Sequence, residues 1–154
     1  MSELIFRRAG ENDVETVRTL THAAYAKWVP VIGRRPKPMN VDYEHAVRAH
    51  VIELAYLDGE LAGLIEIVPA ADHLLLENVA VVPAQQRMGL GHRLMAHVEA
   101  MARARGLPQV RLYTNKAFTS NLDFYQKLGY TLEREEPVKG GGFVVHFAKA
   151  MKQS

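Results

Sequence analysis

Apolar positions along the chain change period several times, and each change marks an element. Residues 3–8 alternate as a first strand. Val14, Val17, Leu20, Ala24 and Trp28 then recur at helical spacing, which predicts a helix to about Trp28 with Asn12 or Asp13 as its cap. The segment 29–40 holds Pro30, Pro36, Pro38 and Gly33 together with Arg34, Arg35 and Lys37, and is expected to be a loop. Asp42 is placed to cap a short helix through Ala49. Residues 51–57 and 61–68 are largely apolar runs around Asp58-Gly59, the strongest hairpin signal in the chain. Residues 74–82 form the third strand of that meander. Leu75, Glu77, Val79 and Val81 are expected on one face, with Asn78, Ala80 and Val82 on the other. Leu90, Leu94, Val98 and Met101 stripe a helix that ends at Gly106, before Pro108. A buried strand at 110–114, a helix at 119–127, and strands at 130–134 and 143–149 follow, with Gly140–Gly142 as a hairpin loop.

The order β-α-α-β-β-β-α-β-α-β-β predicts an α+β fold with a mixed central sheet of about seven strands flanked by about four helices. All of residues 1–154 are expected in a single domain, since that length supports one sizeable core and no linker or repeat interrupts it. Charge changes this picture little. A net charge of +2 is too small to argue for a nucleic-acid partner. Cysteine is absent, which excludes disulfides, thiolate metal sites and a cysteine nucleophile. His92 and His97, like His45 and His50, are five apart and on different helix faces, so no metal is expected. The opening residues 1–8 are charged without a long apolar core, and Arg7-Arg8 is followed by Glu11, Asn12 and Asp13. The most apolar run, 74–83, is broken by Glu77 and Asn78 and is too short to span a bilayer. The expectation is a cytoplasmic protein with no membrane partner.

The candidate chemistry begins where that run ends at Pro83 and passes into Gln86-Arg87-Met88-Gly89-Leu90-Gly91. Strand, short glycine-bearing loop and helix N-terminus together suit a pyrophosphate. First-turn N–H groups point at the anion, the helix dipole favours negative charge, and glycine keeps a Cβ out of the way. Gly89-Leu90-Gly91-His92-Arg93-Leu94 begins like a dinucleotide fingerprint but has leucine in place of the third glycine, and its strand comes from a hairpin meander. A phosphate-loop G-K-(S/T) is absent.

Gln86-x-x-Gly89-x-Gly91 resembles motif A of the GNAT superfamily of N-acetyltransferases, (Q/R)-x-x-G-x-(G/A). The likeness continues through Arg111-Leu112-Tyr113-Thr114-Asn115. It ends in Asn121-Leu122-Asp123-Phe124-Tyr125-Gln126-Lys127-Leu128-Gly129-Tyr130, which looks like the motif B ending F-Y-x-K-L-G-F. The matches cover roughly residues 51–150. The chain thus resembles a small single-domain member of bacterial type, which implies the GNAT acyl-CoA N-acyltransferase fold and acetyl-CoA as co-substrate, without a metal.

The resemblance implies direct attack of a primary amine on the thioester in a ternary complex. The backbone of Val79, Ala80 and Val81 would pair with the pantetheine arm. Gln86, Arg87, Met88, Gly89, Leu90, Gly91 and His92 would hold the pyrophosphate, and Asn115 and Asn121 would contact the cofactor. Many relatives have the asparagine six residues before the motif B tyrosine, where this chain has Thr119. Tyr125 is expected to protonate the departing thiolate, the alternative being a core aromatic beside Phe124 and Leu128. An alkylammonium must lose a proton before attack, and Glu77, a carboxylate in an apolar strand, is the candidate base. In histone-acetylating members the base falls two positions earlier, at Leu75 here; Glu66 is an outside alternative.

The acceptor is expected to be a small-molecule amine. Arg34, Arg35 and Lys37 on a stiff segment would favour one bearing an anionic group, as an amino acid does. A protein or peptide amine, a non-catalytic acyl-CoA-binding sensor and a homodimer are left open.

Overall fold

The computed structural model describes residues 3–86 and 89–152. Its elements are β1 (Leu4–Arg8), α1 (Val14–Tyr25), α2 (Val29–Ile32), α3 (Tyr43–Ala49), β2 (Val51–Leu57), β3 (Glu60–Pro69), β4 (Leu74–Val81), α4 (Leu90–Ala104), β5 (Gln109–Asn115), α5 (Thr119–Lys127), β6 (Thr131–Pro137) and β7 (Phe143–Ala150). The strands form one mixed seven-stranded sheet in the order β1-β2-β3-β4-β5-β7-β6. Apart from the short α2, the α+β element order expected from periodicity is the one observed. Among the described residues no helix is long and apolar enough to cross a membrane.

The chain divides into two compact units, one taking its course up to Val68 and again Asn78–His97, the other Pro69–Glu77 and the course from Val98 onward. In the first, β1, β2 and β3 pair antiparallel, with Leu4 opposite Leu57 and Val51 opposite Ile67. Asp58 and Gly59, at φ 51° and 88°, supply the two left-handed residues of a tight hairpin turn. Asp58 also accepts the Glu3 N–H at 2.9 Å. Val17, Leu20 and Ala24 of α1 and Tyr43, Ala46 and Val47 of α3 close over Ile52, Leu54, Leu64 and Ala80 of the strands.

Three local expectations need correction. The first helix begins at Val14, and its Asp13 cap makes no side-chain bond to the helix. Arg7 claims that carboxylate instead, through two guanidinium contacts of 3.0 and 3.1 Å, and Gly10 N–H adds a third at 2.8 Å. A charge-assisted pair outcompetes the neutral cap, and the Arg7 hydrogen bonds hold Asp13 below its ordinary carboxylate range. The helix ends at Tyr25, with 26–28 tightening into a 3-10 turn. The segment expected as loop contains α2, where Pro30 occupies the first turn without needing its missing N–H, and a further 3-10 turn at Lys37–Asn40.

In the second unit β4 and β5 run parallel over three pairs, Leu74–Leu76 against Val110–Leu112. Strand β7 pairs antiparallel with β5, setting Tyr113 opposite His146, and β6 pairs antiparallel with β7. Val110, Leu112, Val145 and Phe147 are buried. Every residue of β6 is exposed, three positions longer at its end than its apolar content suggested. Its run Glu133-Arg134-Glu135-Glu136 charges an edge strand that would otherwise invite pairing.

Candidate active site

Strand β4 buries every even residue from Leu74 to Ala80 and leaves the odd ones half-buried. In the first unit, Asn78 is anchored to α1: Tyr25 Oη donates to its Oδ1 at 2.9 Å, and its Nδ2 donates to Thr21 Oγ1 at 3.3 Å. The strand end is tied down as well, since Val82 N–H donates to Ala62 O at 2.8 Å. The Gln86 amide folds back, donating from Nε2 to Val81 O at 3.2 Å while Lys27 Nζ donates to its Oε1 at 3.1 Å. Gln86 therefore buckles the loop onto the strand that precedes it.

At the other end of the loop Gly89 adopts φ 72°, and its carbonyl accepts from Arg93 N–H at 3.4 Å, opening α4. Among the described residues, a Cβ added at Gly89 would meet nothing within 4 Å. Leu90 is buried and fixes the helix, Gly91 is half-buried and His92 exposed. The first-turn N–H groups of Leu90 and Gly91 have no acceptor within the helix, which makes this end suited to an anion. Arg87 and Met88, also expected in this loop, lie outside the described residues.

The second unit carries the expected acid and base. The Tyr125 ring is buried against Phe124, Tyr130 and Phe147, at centroid distances of 5.2, 5.9 and 6.2 Å. Its hydroxyl has no hydrogen-bond partner among the described residues, yet none of them has a sealed side-chain polar atom without one. The hydroxyl therefore keeps access to the surface. Burial pushes its pKa well above that of an ordinary phenol, so it holds its proton. Glu77 is half-buried, and Tyr113 Oη donates a hydrogen bond to its Oε1. Asn121 lies in the first turn of α5. Asn115 Oδ1 accepts from Ala117 N–H at 2.9 Å, which commits that oxygen to the turn between β5 and α5.

Glu66 belongs to the first unit, 2% exposed and with Oε2 2.6 Å from His50 Nδ1. Among the described residues no group of three or more His, Cys, Asp or Glu is placed to hold a metal. Two side chains given no role above prove central to the second unit. Tyr113 is the neighbour of Glu77, and His146 is the neighbour of Tyr113. Their signal was the alternation of polar Arg111, Tyr113 and Asn115 with apolar Val110 and Leu112, which puts Tyr113 off the core face.

A seven-stranded mixed sheet with a glycine-bearing loop opening the helix after its fourth strand defines a class, and comparison with known proteins identifies it. The model of the acetyltransferase (GNAT) family matches residues 16–130, and the chain belongs to that family. It is 40% identical over 82 residues to the N-alpha-acetyltransferase 80 of Mus musculus, covering 53% of this chain and 24% of that protein. The chain thus spans about a quarter of that relative. Among solved structures, the ribosomal-protein-S18-alanine N-acetyltransferase of Escherichia coli superposes with a TM-score of 0.75 at 17% identity, over 99% of this chain and 96% of that one. The PaiA N-acetyltransferase of Thermoplasma acidophilum, in complex with coenzyme A, superposes with a TM-score of 0.74 at 18% identity, over 94% and 98%. These likenesses are of fold.

Proposed function

We propose that this GNAT acetyltransferase is an acetyl-CoA-dependent N-acetyltransferase acting on a primary amine of a small molecule that also bears an anionic group. The observation that carries this reading is the turn from β4 into α4. Gly89 holds a left-handed backbone there, with open space where a Cβ would stand and amides of the first helical turn beside it. These features fit a pyrophosphate. The coenzyme A bound to the Thermoplasma acidophilum protein supports the assignment.

The thioester supplies an activated acyl group and a thiolate leaving group. In this reading the 86–92 loop binds the diphosphate, the backbone of Val79, Ala80 and Val81 takes the pantetheine arm as an added strand, and Asn115 and Asn121 contact the same arm. Glu77 takes one proton from the acceptor ammonium and frees the nitrogen lone pair. A nitrogen–carbon bond forms at the thioester carbonyl, the carbon–sulfur bond breaks, and Tyr125 gives its phenolic proton to the sulfur. The second proton shed by nitrogen restores Tyr125, and Glu77 returns its own to solvent.

The basic residues Arg34, Arg35 and Lys37 support an acceptor with a carboxylate or phosphate. The name of the mouse relative supports a second acceptor class, the terminal α-amine of a peptide. Thiol release from acetyl-CoA, measured against amino acids, short peptides, a polyamine and an aminoglycoside, tests the proposal. Turnover of an anionic amine is expected. Acetyl-CoA binding without turnover of any amine would replace the enzyme by an acyl-CoA sensor.

A further inference from the structure

We infer that Tyr113 is a positioning residue for the base: its hydroxyl holds the Glu77 carboxylate in the orientation from which it takes the acceptor's proton. This rests on the proposed role of Glu77, and it concerns groups that all lie in the second unit. The parallel register sets Leu76 beside Leu112, so the next residues along, Glu77 and Tyr113, are also neighbours, and Tyr113 Oη donates to Glu77 Oε1. Tyr113 is itself held from the far side. Its register partner His146 sets its ring 5.8 Å from the Tyr113 ring, tilted by 38°, and His146 Nε2 lies 2.7 Å from Glu136 Oε1. Strands β4, β5, β7 and β6 thus line up carboxylate, phenol, imidazole and carboxylate.

The identity of the donor matters. A glutamate has three side-chain torsions, and an untethered one spends much of its time away from a productive geometry. A guanidinium in the same place would hold it but would also neutralise its charge. The nearest arginine on this strand, Arg111, is engaged instead by Glu133 on the other side. A phenol fixes one carboxylate oxygen with a hydrogen bond and adds no positive charge. A packing role for Tyr113 would be served equally by phenylalanine.

That difference sets the test. Tyr113→Phe, Glu77→Gln and the double variant are compared with the parent on the fastest acceptor of the amine panel, with folding checked by thermal unfolding. Tyr113→Phe is expected to lower kcat by about tenfold, the effect of losing one hydrogen bond to a charged group. The KM for acetyl-CoA should stay within about twofold. The double variant should be no slower than Glu77→Gln alone, because a hydroxyl that acts only through the carboxylate has nothing left to orient. Losses that multiply, a Tyr113→Phe effect confined to KM, or an unchanged kcat would overturn the inference while leaving the base intact. A Glu77→Gln variant as fast as the parent would instead remove the base, and Tyr113's role with it.

Discussion

At the scale of single residues, the proposed mechanism divides the proton work between two oxygen acids in different surroundings. Tyr125 is enclosed by three aromatic rings, and burial raises its pKa above that of a free phenol. Such a group stays protonated through the neutral range, so its proton is in place when the thiolate departs. Tyr125→Phe keeps the packing and removes the proton, so kcat should fall by about 10²–10⁴-fold while acetyl-CoA affinity holds. Stopped-turnover kinetics beside a binding titration checks this, and a loss below about threefold would leave Tyr125 a packing residue. In the proposed mechanism Glu77 has the opposite task. Its replacement by glutamine should slow turnover at neutral pH, where the acceptor amine is an ammonium with a pKa near 10. The deficit should shrink as pH climbs toward that value and the amine loses its proton unaided. A rate ratio constant from pH 7 to 10 would remove Glu77 from proton transfer.

At the scale of elements, the glycines separate what a sequence discloses from what it withholds. Asp58-Gly59 and the stripe Leu90, Leu94 and Val98 signal locally, through turn chemistry and period, and β2, β3 and α4 appear where they indicate. Gly89 drew notice in the sequence as the glycine a phosphate loop would need, and the structure adds that it holds a φ of 72°. Gly89→Val would force a β-branched residue into left-handed backbone, so coenzyme A affinity should drop by at least about tenfold. Unchanged affinity in a folded variant would exclude the loop as the binding site. Gly63 gave no sign of its role, because its neighbours are remote in sequence. A Cβ there would stand 2.7 Å from Ala80 O and 3.2 Å from Leu94 Cδ1, so the close approach of β3 to β4 and α4 depends on glycine. Gly63→Ala should destabilise the fold by about 1–3 kcal/mol in denaturant unfolding. The partnership of Glu77 with Tyr113 was hidden for the same reason, since a parallel register joins residues 36 apart and only the folded sheet brings them together. The misjudged loop at 29–40 is the converse. Its prolines looked like breakers, yet Pro30 stands at a first-turn position where proline is tolerated.

At the scale of the whole molecule, the net charge of +2 is modest but unevenly spread. The course from Tyr25 to Asp42 has Lys27, Arg34, Arg35 and Lys37 and no acid between those two residues. Arg35 is exposed, and its guanidinium lies 3.3 and 3.4 Å from the His22 ring nitrogens. A guanidinium compensated by an imidazole rather than a carboxylate keeps its charge for an incoming anion. Gly33, at φ 73°, closes α2 just before this pair of arginines, and Pro36 and Pro38 stiffen the chain after it. The cations are therefore held on an ordered segment, not a loose one. A polycationic acceptor would meet repulsion there, whereas an amine carrying a carboxylate or phosphate would be drawn in. The prediction is that amino acids or phosphorylated amines exceed polyamines and aminoglycosides in kcat/KM. Because exposed charges are screened over about 10 Å at 0.1 M salt, the KM of the preferred anionic amine should rise with added salt. Arg34→Ala with Arg35→Ala should raise that KM severalfold and abolish much of its salt dependence, with kcat nearly unchanged, as expected when binding common to ground and transition states is removed. A preference for polycations, or a KM indifferent both to the two substitutions and to salt, would detach the basic segment from acceptor choice.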